Sequence, residues 1–222
     1  MDKQKYIKKI EDTEGLQKAK AYIEYARVLR QSSPKESIEQ AKLALKLSRS
    51  LEDHNLVTSS LVNIANACFY ANDPVMAEHW VNQLLRTGIK YKIQNAMGSA
   101  YNMKSRLALQ ANNSILAQKY MLRALDYFLE INEKQNLMSC YNALGMIHYD
   151  RNENDEALTY WELALRTAEE IDSNARFSIG LNLSNLLLAQ KKYDEALKIN
   201  TKSLEFFKKH EMTSYESTAL SN

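Results

Sequence analysis

The sequence is short of the residues that end or bend regular structure, with only 5 glycines and 2 prolines among its 222 residues. Sheets and long loops consume such turn residues, so their scarcity favours long helices joined by short turns. Alanine, leucine, lysine, glutamate, glutamine and methionine supply much of the rest, and all of them form helices readily. The composition therefore predicts an all-α fold.

Cysteine, net charge and long apolar runs are scarce as well. Cys68 and Cys140 are the only cysteines, which argues against a disulfide framework and fits a reducing compartment. The 29 basic and 27 acidic residues leave a formal net charge of +2, so no global field attracts nucleic acid or an anionic membrane. No apolar run suits a signal peptide or a membrane span. We expect a cytoplasmic protein whose region here binds neither nucleic acid nor membrane.

What the sequence does contain is an internal repeat of 39 or 40 residues, marked by three sites that small side chains occupy. Two helices approach closely only where side chains are small, so the sites mark helix crossings. All of these positions hold Ala, Ser or Gly except one, which holds Leu84. The first site holds Ala26, Ala65, Ser105, Gly145 and Ser184, the second holds Ser37, Ala77, Ala117, Ala157 and Ala196, and the third holds Ala44, Leu84, Ala124, Ala164 and Ser203.

The repeat predicts five antiparallel helix pairs. Asn, Asp and Ser fall before the second helix of most pairs, where they can cap it, and Pro34 and Pro74 suit its first turn. Residues 1–18 are predicted to form a helix or capping segment that is interrupted near Gly15, and residues 19–213 the array. The predicted pairs are 19–31 with 35–51, 56–71 with 74–90, 94–111 with 114–131, 135–150 with 155–171, and 175–190 with 194–210.

The most distinctive unit reads Tyr-Asn-Ala-Leu-Gly145, then Asn-Asp-Glu-Ala157, then Ala164-Leu165. With its in-phase copies, it resembles the tetratricopeptide repeat family over residues 19–210. The resemblance implies a right-handed superhelical solenoid of antiparallel helix hairpins that binds a protein or peptide. The common repeat is 34 residues long and carries a proline that is missing here. The longer form is similar to arrays in bacterial signalling proteins.

The last residues, 214–222, match the opening of a sixth first helix. An open repeat exposes apolar surface, so we interpret the chain as truncated there. The open end would also offer a surface for homodimerisation. The alternative is a short natural tail that serves as a half-helix cap.

The family resemblance places partner binding in a concave groove lined by the first helices. Offsets of −6, −3, +1, +4 and +5 from the first small site keep to one helix face and select the inward side chains. Asn amides can clamp an extended peptide backbone, and Arg can bind a carboxylate or phosphate. The alternative is that these polar residues only solvate an exposed face. The predicted groove residues are Asn66, Tyr70, Asn102, Arg106, Asn142, Met146, Tyr149 and Asn185.

Catalytic signals are missing from the sequence. None of the four histidines has metal-ligand spacing with Cys or a carboxylate, and no Gly-rich phosphate loop is present. The acid pair Asp155-Glu156 opens a helix, where negative charge is favourable. We therefore predict no enzyme activity, no cofactor and no metal. The leading hypothesis is the regulatory or sensor module of a larger signal-transduction protein, and the alternative is a free-standing structural adaptor or self-association scaffold.

Overall fold

A computed structural model of the protein describes residues 3–210 and residue 212. The described residues form eleven α-helices and no strand, which confirms the all-α prediction. The helices are α1 (Lys3–Glu11), α2 (Gly15–Leu29), α3 (Pro34–Ser50), α4 (His54–Tyr70), α5 (Pro74–Tyr91), α6 (Gln94–Gln110), α7 (Ser114–Glu130), α8 (Lys134–Asp150), α9 (Asn154–Glu170), α10 (Ala175–Ala189) and α11 (Tyr193–Lys209).

One type of turn ends most of these helices. A residue just past the helix adopts a left-handed conformation, and the next residue donates its N–H back to the final helical turn, as Asp73 does to the carbonyl of Cys68 at 3.0 Å. This is the Schellman arrangement, which satisfies carbonyls that a helix end would leave unpaired. Asn and Asp tolerate the left-handed conformation best. The non-glycine residues with positive φ in the described chain are Glu52, Asn72, Lys92, Asn112, Asn132, Asn152, Asp172 and Lys191.

The chain divides into two compact units, residues 1–131 and 132–222. In unit 1, which contains α1 to α7, serines tighten the helix crossings. The hydroxyl of Ser37 donates to the carbonyl of Ala26 at 2.7 Å, and that of Ser105 donates to the carbonyl of Ala117 at 2.8 Å. Each bond joins the first and second small sites of one hairpin, and all four residues are buried. In these two hairpins the first and second small sites therefore lie at the helix crossing, as predicted.

Unit 2 contains α8 to α11 and shows the same packing with a different pair of side chains. A Cβ atom built on Gly145 would lie 2.6 Å from Cδ1 of Trp161, so the indole fills the space that a side chain at this position would need. Trp161 is 1% exposed, and Ala157 and Ala164 pack in the same cluster.

The first helix pair begins earlier in the chain than predicted. The first helix of the first pair begins at Gly15, four residues before the predicted start, and Gly15 has a φ of 51°. Helix α1 precedes it and places Tyr6 against Tyr25, with ring centroids 5.4 Å apart. The predicted start of a sixth repeat at 214–222, and the homodimerisation predicted through it, lie outside the described residues.

Candidate partner-binding faces

In unit 1, the predicted residues Asn66, Tyr70 and Arg106 come together on α4 and α6. The Nη1 atom of Arg106 donates to Oδ1 of Asn66 at 2.7 Å. The guanidinium carbon lies 4.2 Å from the ring centroid of Phe69 and 5.5 Å from that of Tyr70. We call these four residues the unit 1 face. Guanidinium stacked on aromatic rings is favourable because the ring faces carry partial negative charge.

The electrostatics of this face are set by a half-buried cation. Burial lowers the pKa of the Arg106 guanidinium, because desolvation disfavours its charged form. No carboxylate of the described residues lies within ion-pair distance of it. Burial would raise the pKa of the Tyr70 hydroxyl, but the hydrogen bond from Gln31 and the charges of Arg106 and Arg30 outweigh burial and lower it. The face therefore favours negative charge.

Asn66 and Asn102 both form contacts within unit 1. Asn66 is 8% exposed, accepts from Arg106 and donates its Nδ2 to the carbonyl of Val62 at 2.9 Å. Its amide therefore fixes the position of Arg106 and has little capacity left for a partner. Asn102 is half-buried and directs its Nδ2 to the sulfur of Met121 on α7 at 3.9 Å.

In unit 2, Asn142 joins α8 to α10. Its Oδ1 accepts a 3.0 Å hydrogen bond from Nδ2 of Asn182, and its own Nδ2 lies 4.0 Å from the sulfur of Met146. Met146 is 47% exposed. We call Asn142, Met146 and Asn182 the unit 2 face. It offers two amides beside an adaptable apolar side chain, a combination that suits the backbone and side chains of an extended peptide.

The remaining two predicted residues of unit 2 are half-buried. The ring of Tyr149 packs 5.5 Å from that of Trp161, centroid to centroid, so this side chain belongs largely to the core of its hairpin. Asn185 lies on α10, three residues after Asn182.

Asn182 is a contact that the sequence analysis missed. The offset of −3 from Ser184 selects Leu181, but Leu181 is 3% exposed and packs with Phe207. The signal was present in the spacing, since Asn102, Asn142 and Asn182 are each 40 residues apart. The first small sites of the last two repeats, Gly145 and Ser184, are only 39 residues apart. An offset counted from Ser184 therefore selects the residue just before Asn182, the equivalent of Asn142.

Metal-ligand clusters, membrane-spanning helices and disulfide bonds are absent from the described part of the chain. It holds no group of three or more His, Cys, Asp or Glu side chains arranged to bind a metal ion. No helix in residues 3–210 has both the length and the apolar character needed to cross a membrane. Cys68 and Cys140 are both buried, and no disulfide bond joins them.

Comparison with known proteins agrees with this architecture. The family model for the tetratricopeptide repeat matches residues 137–209, which cover α8 to α11 almost completely. Residues 137–209 of this chain therefore carry tetratricopeptide repeats. A comparison of the tetratricopeptide chain with curated protein sequences gives no significant match.

Three solved structures share the fold of this tetratricopeptide chain. A Rap protein complexed with Competence and Sporulation Factor is 16% identical, with a TM-score of 0.79 over 97% of this chain and 61% of its own. A signal transduction ATPase with numerous domains and a tetratricopeptide repeat sensor, from Pyrococcus horikoshii, is 19% identical, with a TM-score of 0.76 over 97% and 33%. NprR in complex with its cognate peptide NprX is 16% identical, with a TM-score of 0.72 over 98% and 64%.

These similarities establish the fold class as a tetratricopeptide-like helical solenoid. The chain spans less than two thirds of the length of each of these three proteins. At such low sequence identity the likeness concerns the fold alone, and what the whole proteins bind does not transfer by itself.

Proposed function

We propose that this tetratricopeptide chain is the protein- or peptide-binding regulatory module of a larger signal-transduction protein. The observation that carries the proposal is the half-buried Arg106, which Asn66 holds against Phe69 and Tyr70 with no carboxylate of the described residues beside it. A desolvated cation that a protein positions in this way binds a carboxylate or phosphate strongly when one arrives. The partner therefore presents an acidic group to the unit 1 face.

The unit 2 face supports binding of an extended segment. Asn142 and Asn182 are linked by one hydrogen bond, which leaves the second N–H of the Asn182 amide and the carbonyl oxygen of that amide to pair with a peptide backbone. Met146, nearly half exposed, supplies an apolar contact that adapts to different side chains. Each of the two faces consists of residues from a single unit.

The fold class adds a general argument. Helical repeat arrays of this type typically serve as scaffolds for other proteins rather than as enzymes. Two of the structural neighbours are complexes, the Rap protein with Competence and Sporulation Factor and NprR with its cognate peptide. Two buried cysteines that form no disulfide bond also fit a cytoplasmic location, where thiols stay reduced.

The experiment is a binding assay with a defined peptide library in which acidic, neutral and basic members share one length. Fluorescence anisotropy against the whole chain should favour acidic peptides, and Arg106→Gln should weaken their binding by about 1.5–3 kcal/mol because a charged hydrogen bond is lost. Arg166→Gln on α9 removes the same charge from an exposed position of a second helix and is the matched control. Equal losses in both variants, or selection of basic peptides, would contradict the proposal.

A further inference from the structure

A second region of unit 1 has features of a binding site, at the opposite end of α4 from the unit 1 face. A cavity of about 540 Å³ lies where the α3–α4 turn meets the end of α5. Its lining includes Arg49, Glu52, His54, Lys90 and Tyr91. His54 and Asn66 are twelve residues apart on one helix, which places them about 18 Å from each other along its axis.

Two aromatic rings form one wall of the cavity. The imidazole of His54 stacks on the phenol ring of Tyr91, with centroids 3.5 Å apart and planes 18° apart. The Nζ atom of Lys90 lies 5.0 Å from the centroid of the Tyr91 ring. The wall therefore combines a flat ring surface with a cation at its edge.

The internal repeat shows why this cavity is unusual. In the next hairpin, the residue that begins the first helix pairs with an acid near the end of the second: Nε2 of Gln94 donates to Glu130 at 2.7 Å. One hairpin further, Nζ of Lys134 pairs with Glu170 at 2.7 Å. The corresponding residues of the α4–α5 hairpin, 40 positions before Gln94 and Glu130, are His54 and Lys90.

A lysine thus stands where the two following hairpins have a glutamate. Arg49 adds a second cation to the lining and Glu52 is its one acid, so positive charge exceeds negative charge among these side chains. Neither Arg49 nor Lys90 forms an ion pair with a described residue. The cavity therefore has donors for a carboxylate and lacks the carboxylate that Glu130 and Glu170 supply in the two following hairpins.

We propose that this cavity binds a small molecule through a carboxylate or phosphate group. The ligand's oxygens would take the part that the carboxylates of Glu130 and Glu170 play in the following hairpins, with Lys90 and Arg49 as donors. The flat wall of His54 and Tyr91 would favour a ligand that also carries a planar ring. The cavity volume falls within the range of small-molecule sites, about 300–1,000 Å³. The site is separate from the faces proposed to bind a protein or peptide.

The test is an NMR titration of the whole chain with three probes: inorganic phosphate, phenyl phosphate and benzoate. We expect saturable shifts of the His54 and Tyr91 ring signals. The ring-bearing probes should bind more tightly than inorganic phosphate, and comparison of phenyl phosphate with benzoate separates a phosphate site from a carboxylate site. Lys90→Glu recreates the arrangement of the two following hairpins and should weaken binding roughly 10- to 100-fold, the loss of a charged hydrogen bond.

Lys119→Glu makes the same charge change at an exposed position of α7 that does not line the cavity, and it should bind as the unaltered chain does. Circular dichroism checks that both variants are folded. If Lys90→Glu is not folded, Arg49→Gln takes its place and must weaken binding by a similar factor. Equal weakening by Lys90→Glu and Lys119→Glu, or no saturable shift with any probe at millimolar concentration, would overturn the proposal.

Discussion

Arg106 donates a 2.7 Å hydrogen bond to Asn66, which lies forty residues earlier in the chain and on the preceding first helix. The two side chains belong to equivalent positions of neighbouring repeats, so the bond joins α4 to α6 directly. It also holds the guanidinium over Phe69 and Tyr70. The cation that we propose for partner binding is therefore positioned by the array itself.

The first prediction concerns the strength of this coupling. Asn66→Ala removes the acceptor of a half-buried cation and should lower the free energy of unfolding by about 1–3 kcal/mol. Arg106→Ala in the Asn66→Ala background should cost less than it does alone, by a coupling energy of about 0.5–3 kcal/mol. A double-mutant cycle by urea denaturation measures it, and strictly additive losses would show that the two side chains act independently.

The second prediction concerns the crossing of α8 and α9. Gly145→Ala places a methyl group in contact with the buried indole of Trp161, at 2.6 Å from Cδ1, and should destabilise unit 2 by about 1–3 kcal/mol through overpacking. Gly180→Ala is the comparison, because its new Cβ would meet a side-chain methyl of Ile199 at 3.0 Å. Thermal denaturation should show the larger loss for Gly145→Ala, and the reverse order would contradict this account of the crossing.

A third prediction compares two serines at the first small site. The hydroxyl of Ser105 donates to the carbonyl of Ala117, so Ser105→Ala should cost about 0.5–1.5 kcal/mol. The hydroxyl of Ser184 is buried and has no hydrogen-bond partner among the described residues, so Ser184→Ala should leave stability unchanged or raise it. Chemical denaturation of both variants tests the contrast, and equal losses would show that the bond of Ser105 contributes nothing.

Alkaline pH should weaken the packing around Tyr25. Burial and the 2.8 Å hydrogen bond to Glu36 raise the pKa of Tyr25 to about 12, whereas a tyrosine in the unfolded chain has a pKa of about 10. The stability that this raised pKa contributes is complete below pH 10 and is lost as the pH rises from about 10 to about 12.

In Tyr25→Phe the loss of unfolding free energy over that interval should be smaller than in the unaltered chain. Tyr193→Phe, at an exposed residue of α11, controls for the general effect of alkaline pH and should follow the unaltered chain. A loss in Tyr25→Phe as steep as in the control would show that Tyr25 is not the group responsible.

The last prediction concerns the turn between α5 and α6. Lys92 adopts a φ of 54°, a conformation that costs an L residue about 1–2 kcal/mol and that glycine adopts freely. Lys92→Gly should therefore raise the unfolding free energy by roughly 1 kcal/mol. Lys46→Gly, in the interior of α3, should lower it by a similar amount because glycine is a poor helix former. A loss of stability in Lys92→Gly would contradict the strain argument.

The sequence determined the helices and their pairing. Small residues at fixed spacing and turn residues between them specify where helices begin, end and cross, because close approach of two backbones depends on local side-chain size. Every predicted helix pair has its counterpart within a few residues. The sequence also contained the 40-residue spacing of Asn142 and Asn182, although counting from Ser184 concealed it.

Only the tertiary structure decided what the polar side chains do once the helices are packed. Asn66 lies on the predicted face, yet its amide binds Arg106 and Val62 instead of facing outward. The hydrogen bond from Gln94 to Glu130 and the stacking of His54 on Tyr91 in the α4–α5 hairpin each join residues about 36 positions apart. Such contacts depend on side-chain rotamers and on burial by neighbouring helices, and a periodic pattern along one helix contains neither.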